Sequence, residues 1–210
     1  MEIYRAVEQG TIDIGLVSYP QSGKAVVATP LLEEPMVLVA SPRHRLASRP
    51  QIAAAELSQV GLVTFASDLP IRLAIDRALR TAGVSMRIVH ELDNIDSVKH
   101  AVTVNSGLGF LPELTVQQEL AAGSLKLLNC PEISLKRPIG FLQRRDKPLT
   151  RAARELVELL NELAEDPAAA AAVEGVPPQG GKAAARAAKS RRKHSGGKKA
   201  PPPIEAHASE

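Results

Sequence analysis

Residues 94–114, NIDSVKHAVTVNSGLGFLPEL, constrain the fold more than any other stretch of this chain. The first half has the apolar spacing of an amphipathic helix. Gly107 and Gly109 follow, and because glycine has no Cβ, the backbone can turn sharply there at little steric cost. Residues 110–111 then predict a short buried strand, and Pro112 suits the first turn of a second helix, where its missing N–H is not needed. A helix, a tight turn, an apolar strand and another helix in this order indicate an α/β fold.

The same alternation of helices and apolar strands extends over most of the chain. The predicted strands are residues 12–17, 26–32, 36–40, 60–65, 87–92, 125–128 and 138–142, with Glu33, Glu34 and Pro35 separating the second from the third. The predicted helices are residues 2–9, 52–57, 71–79, 114–121 and 149–163, besides the one that starts at residue 93 or 94. Short connections between alternating elements predict mainly parallel sheets. Two sheets are expected, because strand 36–40 leads out of the first α/β unit and strand 138–142 precedes a helix that can pack back beside it.

The basic character of the chain lies in its C-terminal tail. Residues 1–166 carry 18 Lys/Arg against 20 Asp/Glu, whereas residues 167–210 carry 8 against 3. A near-neutral body is not a nucleic-acid-binding surface in its own right. The tail is rich in Ala, Pro, Gly and Lys without apolar residues at core spacing, so we predict that it is disordered. Such a tail can add weak, non-specific attraction to DNA, and a solvated linker without a partner is an equal alternative.

Composition also indicates where the protein works. No apolar run approaches the ~20 residues of a membrane span, and the N-terminus lacks a basic-then-apolar signal. We therefore expect a cytoplasmic protein without membrane contact. Cys130 is the single cysteine, which excludes an internal disulfide. Nothing in the sequence near it activates the thiol, so we interpret it as a small apolar filler.

The motifs of the common enzyme classes are missing from the sequence. There is no G-x-S-x-G, no Walker-type phosphate loop, no H-E-x-x-H and no paired cysteine motif. His90 and His100 have no third ligand at metal spacing, so we expect no metal and no cofactor. Glu91, Asp93 and Asp96 are more simply explained by the preference of acidic side chains for a helix N-terminus than by acid–base catalysis. The sequence therefore favours a binding protein over an enzyme.

Four segments, taken in their order along the chain, resemble the effector-binding half of LysR-type transcriptional regulators. They are LLEEPMVLVASPRHRLAS, GLVTFASDLPIRLAIDRALRTAG, the glycine-containing stretch described above and RPIGFLQRRDKPLTRAARELVELL. The resemblance implies two Rossmann-like subdomains joined by two crossover strands, as in type 2 periplasmic solute-binding proteins. Subdomain I would comprise residues 1–40 and 138–166, and subdomain II residues 41–137. In that architecture the ligand lies between the subdomains, at the carboxyl ends of parallel strands.

Two loops that follow predicted strands are candidate ligand contacts. Ser67, Asp68 and Arg72 lie between a buried strand and a helix start, where free N–H groups and the helix dipole favour an anion. The alternative is that Ser67 or Asp68 only caps the helix and that Arg72 is solvated. Ser18 and Tyr19 follow the first predicted strand in the same way. Tyr19 can offer a ring and a hydroxyl to a ligand, or it can pack on the surface.

Gly107, Gly109 and Phe110 are predicted to form a third side, with backbone N–H groups exposed by the glycines. In LysR-type regulators the loop corresponding to residues 66–72 contributes to the effector pocket, so the resemblance favours the binding alternative. These positions predict a polar-rimmed pocket for a small anionic or zwitterionic metabolite.

The chain departs from the family at its N-terminus, because the winged helix-turn-helix, the linker helix and the first strand and helix of the regulatory region are not found. We therefore expect an N-terminally truncated protein with an incomplete subdomain I. The predicted function is that of an effector-binding, homo-oligomerising region that helps to control transcription and contacts DNA only through a helix-turn-helix absent from this chain. A solute-binding protein of the same fold, serving a transporter, is the alternative.

Overall fold

The computed structural model describes residues 2–165. The strands are β1 (Ile14–Ser18), β2 (Val26–Ala40), β3 (Gly61–Phe65), β4 (Arg87–Leu92), β5 (Gly109–Pro112), β6 (Lys126–Leu127) and β7 (Leu135–Arg144). The helices are α1 (Glu2–Gln9), α2 (Pro70–Thr81), α3 (Ile95–Thr103), α4 (Gln117–Ala121) and α5 (Arg151–Glu165), with 3-10 turns at Ala54–Leu57 and Glu113–Val116. The predicted disorder of residues 167–210 lies outside the described residues.

The larger sheet has the strand order β1–β7–β2–β5, with β6 also paired to β2. All of its strand pairs are antiparallel, so the prediction of mainly parallel sheets is wrong for this sheet. The physical reason is that β2 and β7 are long strands that run alongside each other in opposite directions. The expected parallel pairing is found between β3 and β4, and Leu108, just before β5, bridges in parallel to Leu62 of β3.

The middle of β2 is continuous where the sequence predicted a break. β2 runs through 15 residues, and β7 pairs with it from Val26 to Met36. Glu33 accepts a hydrogen bond from Lys136 (Oε2 to Nζ, 2.9 Å), and Glu34 pairs with Arg137 of β7 directly opposite. Since complementary charges lie across the ladder, the polar residues extend the strand instead of ending it. The predicted separation of residues 26–32 from residues 36–40 is therefore wrong.

Local patterns are confirmed for β4 and for the start of α3. β4 has the predicted bounds, and the Asn94 side chain caps α3 by accepting a hydrogen bond from the Ser97 N–H at 2.8 Å.

The predicted helix 114–121 is instead a 3-10 turn followed by α4, and Pro112 ends β5 rather than opening that helix. The Thr115 hydroxyl donates to the Pro112 carbonyl at 2.7 Å, which holds this turn.

The buried side chains form two separate clusters. The smaller one contains Val7, Val26 and Leu142, and therefore joins α1, β2 and β7. The larger one begins at Met36 in the second half of β2 and includes the apolar faces of α2, α3, β3 and β5. The bounds of the two subdomains stay a prediction, and the two clusters support a division near the middle of β2.

β1 forms one edge of the larger sheet, and within residues 2–165 it pairs only with β7. Leu16 of β1 is 50% exposed, and Ile3 and Ile12 are also exposed. The incompleteness of subdomain I stays a prediction. None of the helices in this part of the chain is long and apolar enough to cross a membrane.

Candidate functional site

The carboxyl ends of β1, β3 and β4 open into one cavity of about 180 Å³. Its lining residues are Ser18, Tyr19, Phe65, Leu69, Pro70, Ile71, Asp93, Asn94, Ile95 and Arg137. Ser18 and Tyr19 come from predicted subdomain I, and the others come from predicted subdomain II. A mixed apolar and polar cavity at the ends of several strands is the usual place for a small ligand in an α/β protein.

Tyr19 forms part of the cavity wall that follows β1. Its backbone is held at φ 53°, a left-handed conformation that is uncommon for residues other than glycine, and its N–H donates to the Pro138 carbonyl at 2.8 Å. Burial raises the pKa of the Tyr19 hydroxyl, and the positive charge of Arg137 opposes this shift. The hydroxyl is therefore neutral at ordinary pH. Its hydrogen-bond contact in the fold is a weak one, to the Met36 sulfur at 3.9 Å.

Two helix N-termini meet at the cavity. α2 starts after Leu69 with Pro70 in its first turn, and α3 starts after Asn94, so Ile71 and Ile95 lie in the first turns. The first N–H groups of a helix have no partner within the helix, and the macrodipole places partial positive charge there. Two such ends beside one cavity favour an anionic group of a ligand.

Arg137 supplies the cationic side chain of the cavity lining, and the sequence analysis did not identify it. Its Nε donates to Oε2 of Glu34 at 2.9 Å, and Nη2 donates to the same oxygen. Glu34 is only 3% exposed. The signal in the sequence is the pair of complementary dipeptides, Glu33-Glu34 and Lys136-Arg137. Recognising it requires knowing that two segments 103 residues apart are adjacent strands.

The cavity brings together some of the predicted ligand contacts and leaves others out. Ser18 and Tyr19 line it. Ser67 and Asp68 are exposed in the loop between two lining residues, Phe65 and Leu69, but are not part of the lining themselves. Neither of them caps α2, because its N-cap is Leu69 without a side-chain hydrogen bond. The role of Ser67 and Asp68 in binding stays a prediction.

Arg72 is buried, and its charge is used within the fold. Nε lies 2.9 and 3.0 Å from the two Asp76 oxygens, and Nη1 donates to the Phe65 carbonyl (2.8 Å) and to Glu91 (2.6 Å). Burial lowers the pKa of Arg72, but hydrogen bonds to Glu91 and Asp76 outweigh burial, so the pKa is raised overall. Arg72 therefore neither contacts the cavity nor is solvated, contrary to both alternatives. It joins α2 to the ends of β3 and β4, and Glu91 serves this pair rather than the α3 N-terminus.

Gly107, Gly109 and Phe110 lie in the packed interior and do not line the cavity. A Cβ on Gly107 would lie 2.8 Å from the Gly61 carbonyl oxygen, and one on Gly109 would lie 2.8 Å from Val102 Cγ2. The predicted third side of the pocket is therefore corrected. These glycines are needed because β3, β5 and α3 approach each other too closely for a side chain.

Residues 2–165 contain no cluster of three or more His, Cys, Asp or Glu side chains that could hold a metal ion. Cys130 is buried, and its Sγ lies 3.6 Å from Oε2 of Glu132. Burial and the hydrogen bond to Glu132 raise the pKa of this thiol. A raised pKa makes the reactive thiolate scarce at ordinary pH.

The cavity and the strands and helices around it define a class of protein. Two α/β units connected through long antiparallel strands, with a polar-rimmed cavity at the strand ends between them, are the architecture of effector-binding and solute-binding domains. Solved structures share it. The chain superposes on the CcmR regulatory domain of Synechocystis PCC6803 in complex with 2-PG with a TM-score of 0.69, at 22% identity and over 79% of each chain. The effector-binding domain of QuiR in complex with shikimate gives a TM-score of 0.67, at 18% identity over 78% of this chain and 77% of that one.

The family model of the LysR substrate binding domain matches residues 1–165, and the chain belongs to this family. The resemblance inferred from the sequence is thereby confirmed. The chain is 26% identical over 167 residues to the uncharacterized HTH-type transcriptional regulator YwbI of Bacillus subtilis, covering 80% of this chain and 55% of YwbI. Against the uncharacterized HTH-type transcriptional regulator YeiE of Escherichia coli, the identity is 26% over 157 residues, 75% of this chain and 53% of YeiE. The chain thus spans about half the length of these curated relatives.

Proposed function

We propose that this chain is the effector-binding part of a LysR-type transcriptional regulator and that a small molecule with an anionic group binds in the cavity between its subdomains. The observation that carries the proposal is the convergence of Arg137 and the N-termini of α2 and α3 on one cavity, which Ser18 and Tyr19 also line. The family match favours a regulator over the solute-binding alternative. The relatives that the structure resembles include domains in complex with 2-PG and with shikimate, and this supports a small-molecule ligand.

The proposed mechanism is a shift between open and closed arrangements of the cleft. A ligand that contacts Tyr19 after β1 and Arg137 on β7, and also the N-termini of α2 and α3, binds a closed arrangement more tightly, and so raises its population. In a whole regulator the change would pass through a homo-oligomer to a helix-turn-helix on DNA, with the basic tail adding at most weak non-specific contact. The chain itself would bind the ligand without catalysing a reaction on it. A transcriptional regulator acts in the compartment that holds the DNA, so the proposal places the protein in the cytoplasm.

A thermal-shift screen of small carboxylates and phosphates on the full chain tests this function. A ligand present at 100 times its Kd stabilises the folded state by about 2.7 kcal/mol, which such a screen detects. Ser18→Trp should abolish the shift, because Ser18 is an exposed residue of the lining and the indole would occupy the cavity. Ser85→Trp is the matched control, since Ser85 is exposed before the opposite end of β4. The proposal fails if no compound binds, or if Ser18→Trp binds as tightly as the wild type.

A further inference from the structure

We propose that the cavity selects a small zwitterion of the amino-acid type, with its carboxylate on Arg137 and its ammonium on Asp93. This inference rests on the proposed function and adds the chemical class of the effector. It is carried by the two charged side chains of the cavity lining, one of each sign, which come from different elements. Arg137 lies on β7, and Asp93 follows the end of β4.

Arg137 is held in place with part of its guanidinium still available. Nε and Nη2 both donate to one oxygen of Glu34 on the neighbouring strand. Within residues 2–165, Nη1 has no hydrogen-bond partner. A guanidinium has five N–H donors in a rigid plane, so an arginine fixed along one side can still donate to a carboxylate along the other. Glu34 is thus a positioning residue for Arg137.

Asp93 is not required by the helix that it precedes. The cap of α3 is the Asn94 side chain, whose Oδ1 accepts from the Ser97 N–H at 2.8 Å. Asn94 also donates through Nδ2 to Oδ1 of Asp93 at 2.8 Å, which fixes the carboxylate. Oδ2 of Asp93 has no hydrogen-bond partner among the described residues. An exposed, oriented carboxylate beside a cavity is a natural partner for an ammonium group.

The charge balance favours a zwitterion over a simple anion. The positive charge of Arg137 is already compensated by the buried Glu34, and Asp93 adds a second negative charge to the cavity. A ligand carrying only a carboxylate would bring a third negative charge near these two. An ammonium on the same ligand compensates Asp93, while Arg137 and the two helix N-termini receive the carboxylate. The remaining lining, from Phe65, Leu69, Ile71 and Ile95, suits an apolar side chain.

The test is calorimetric titration of the full chain with two sets of probes. The first set is the standard L-amino acids, followed by the N-acetyl and amide derivatives of each one that binds. The second set is monocarboxylates of similar size without an amine. We expect an amino acid to bind and its N-acetyl and amide derivatives to lose about tenfold or more in affinity, because each derivative leaves a charged side chain without its partner.

Variants assign the two ends of the ligand. Asp93→Asn should weaken binding of the amino acid by about tenfold or more and leave binding of its N-acetyl derivative unchanged. Glu113→Gln, at an exposed residue outside the cavity lining, should change neither affinity. Glu34→Gln combined with Arg137→Gln removes the anchor without leaving a buried charge, and should remove discrimination against the amide derivative. Circular dichroism checks that each variant is folded.

Three results would overturn the inference. The first is that only the amine-free acids bind, and the second is that Asp93→Asn leaves the affinity for the amino acid unchanged. In either case the assignment of the effector as a zwitterion is wrong, while the effector-binding function stands. If no probe of either set binds to the folded protein, the inference of a zwitterion is wrong, while the proposed function fails only if the phosphates and carboxylates of the thermal-shift screen do not bind either.

Discussion

Replacing Arg72 with methionine tests the conclusion that its charge supports the fold rather than the ligand. Arg72 is only 6% exposed and makes four hydrogen bonds, two to Asp76 within α2 and two, to the Phe65 carbonyl and Glu91, that link α2 to β3 and β4. Methionine keeps most of the alkyl stem that packs in the core and removes the guanidinium. The loss of stability should therefore report mainly on those hydrogen bonds.

The expected cost follows from the exposure of each partner. The Phe65 carbonyl belongs to a residue that is 2% exposed, and a buried acceptor that loses its donor costs about 1–3 kcal/mol. The side chains of Asp76 and Glu91 are 34% and 45% exposed, so water can replace the guanidinium, and each ion pair contributes only about 0.2–1 kcal/mol. The sum is about 3 kcal/mol. In a domain of this size the melting temperature should fall by roughly 6–12 °C.

Urea unfolding of the ligand-free protein, followed by circular dichroism, measures this cost directly. Arg80→Met is the matched control, because Arg80 is exposed on the same helix and its replacement should change stability by less than about 0.5 kcal/mol. An Arg72→Met protein as stable as the Arg80→Met protein would refute the reasoning.

Three further predictions concern packing, pH and local stability. Gly107→Ala should lower the free energy of unfolding in urea by about 1–3 kcal/mol, because its Cβ would lie 2.8 Å from the Gly61 carbonyl oxygen. Gly23→Ala is the control and should be nearly neutral, since the nearest atom to its Cβ is 3.6 Å away. Equal stability of the two variants would contradict the packing role of Gly107. Glu119 accepts a hydrogen bond from Lys99, which holds the pKa of Glu119 below its ordinary value of 4.5. The contribution of the Glu119 carboxylate to the free energy of unfolding is therefore present above about pH 4.5 and is lost as pH falls through its lower, folded-state pKa. Urea midpoints should show the advantage of wild type over Glu119→Gln shrinking from about pH 6 to pH 3, and a constant difference would argue against this linkage. In hydrogen exchange, amides of the edge strand β1 should exchange much faster than those of the buried strand β3, and equal protection would mean that the β1 edge is covered.

Some of the site could be predicted because it depends on neighbours in the sequence. Ser18 and Tyr19 follow the apolar residues of β1 directly, and the loop from Phe65 to Leu69 follows those of β3. A polar residue after a buried strand is at the strand end wherever that strand is finally placed, so these positions near the cavity could be inferred. The Asn94 cap of α3 is equally local, because its partner is the Ser97 N–H three residues away.

The residues that set the charge of the cavity could not be found in this way. Arg137 is assigned to the cavity only when β2 and β7 pair, which places it opposite Glu34 across 103 residues. Arg72 was misassigned for the same reason, since Glu91, its partner on β4, lies 19 residues away. An arginine in a loop-to-helix sequence looks the same whether its guanidinium faces solvent, a ligand or a buried carbonyl.

The sequence by itself determined the alternation of helices and strands, the family and the placement of two loops at strand ends, because each of these follows from the spacing of apolar residues and from short motifs. The tertiary structure decided that β2 is one strand, that the larger sheet is antiparallel and that Arg72 is internal while Arg137 faces the cleft. These features depend on which strands become neighbours and in which register. The energy of an ion pair or of a close glycine contact depends on that neighbour and its burial, and neither is encoded in the spacing of nearby residues.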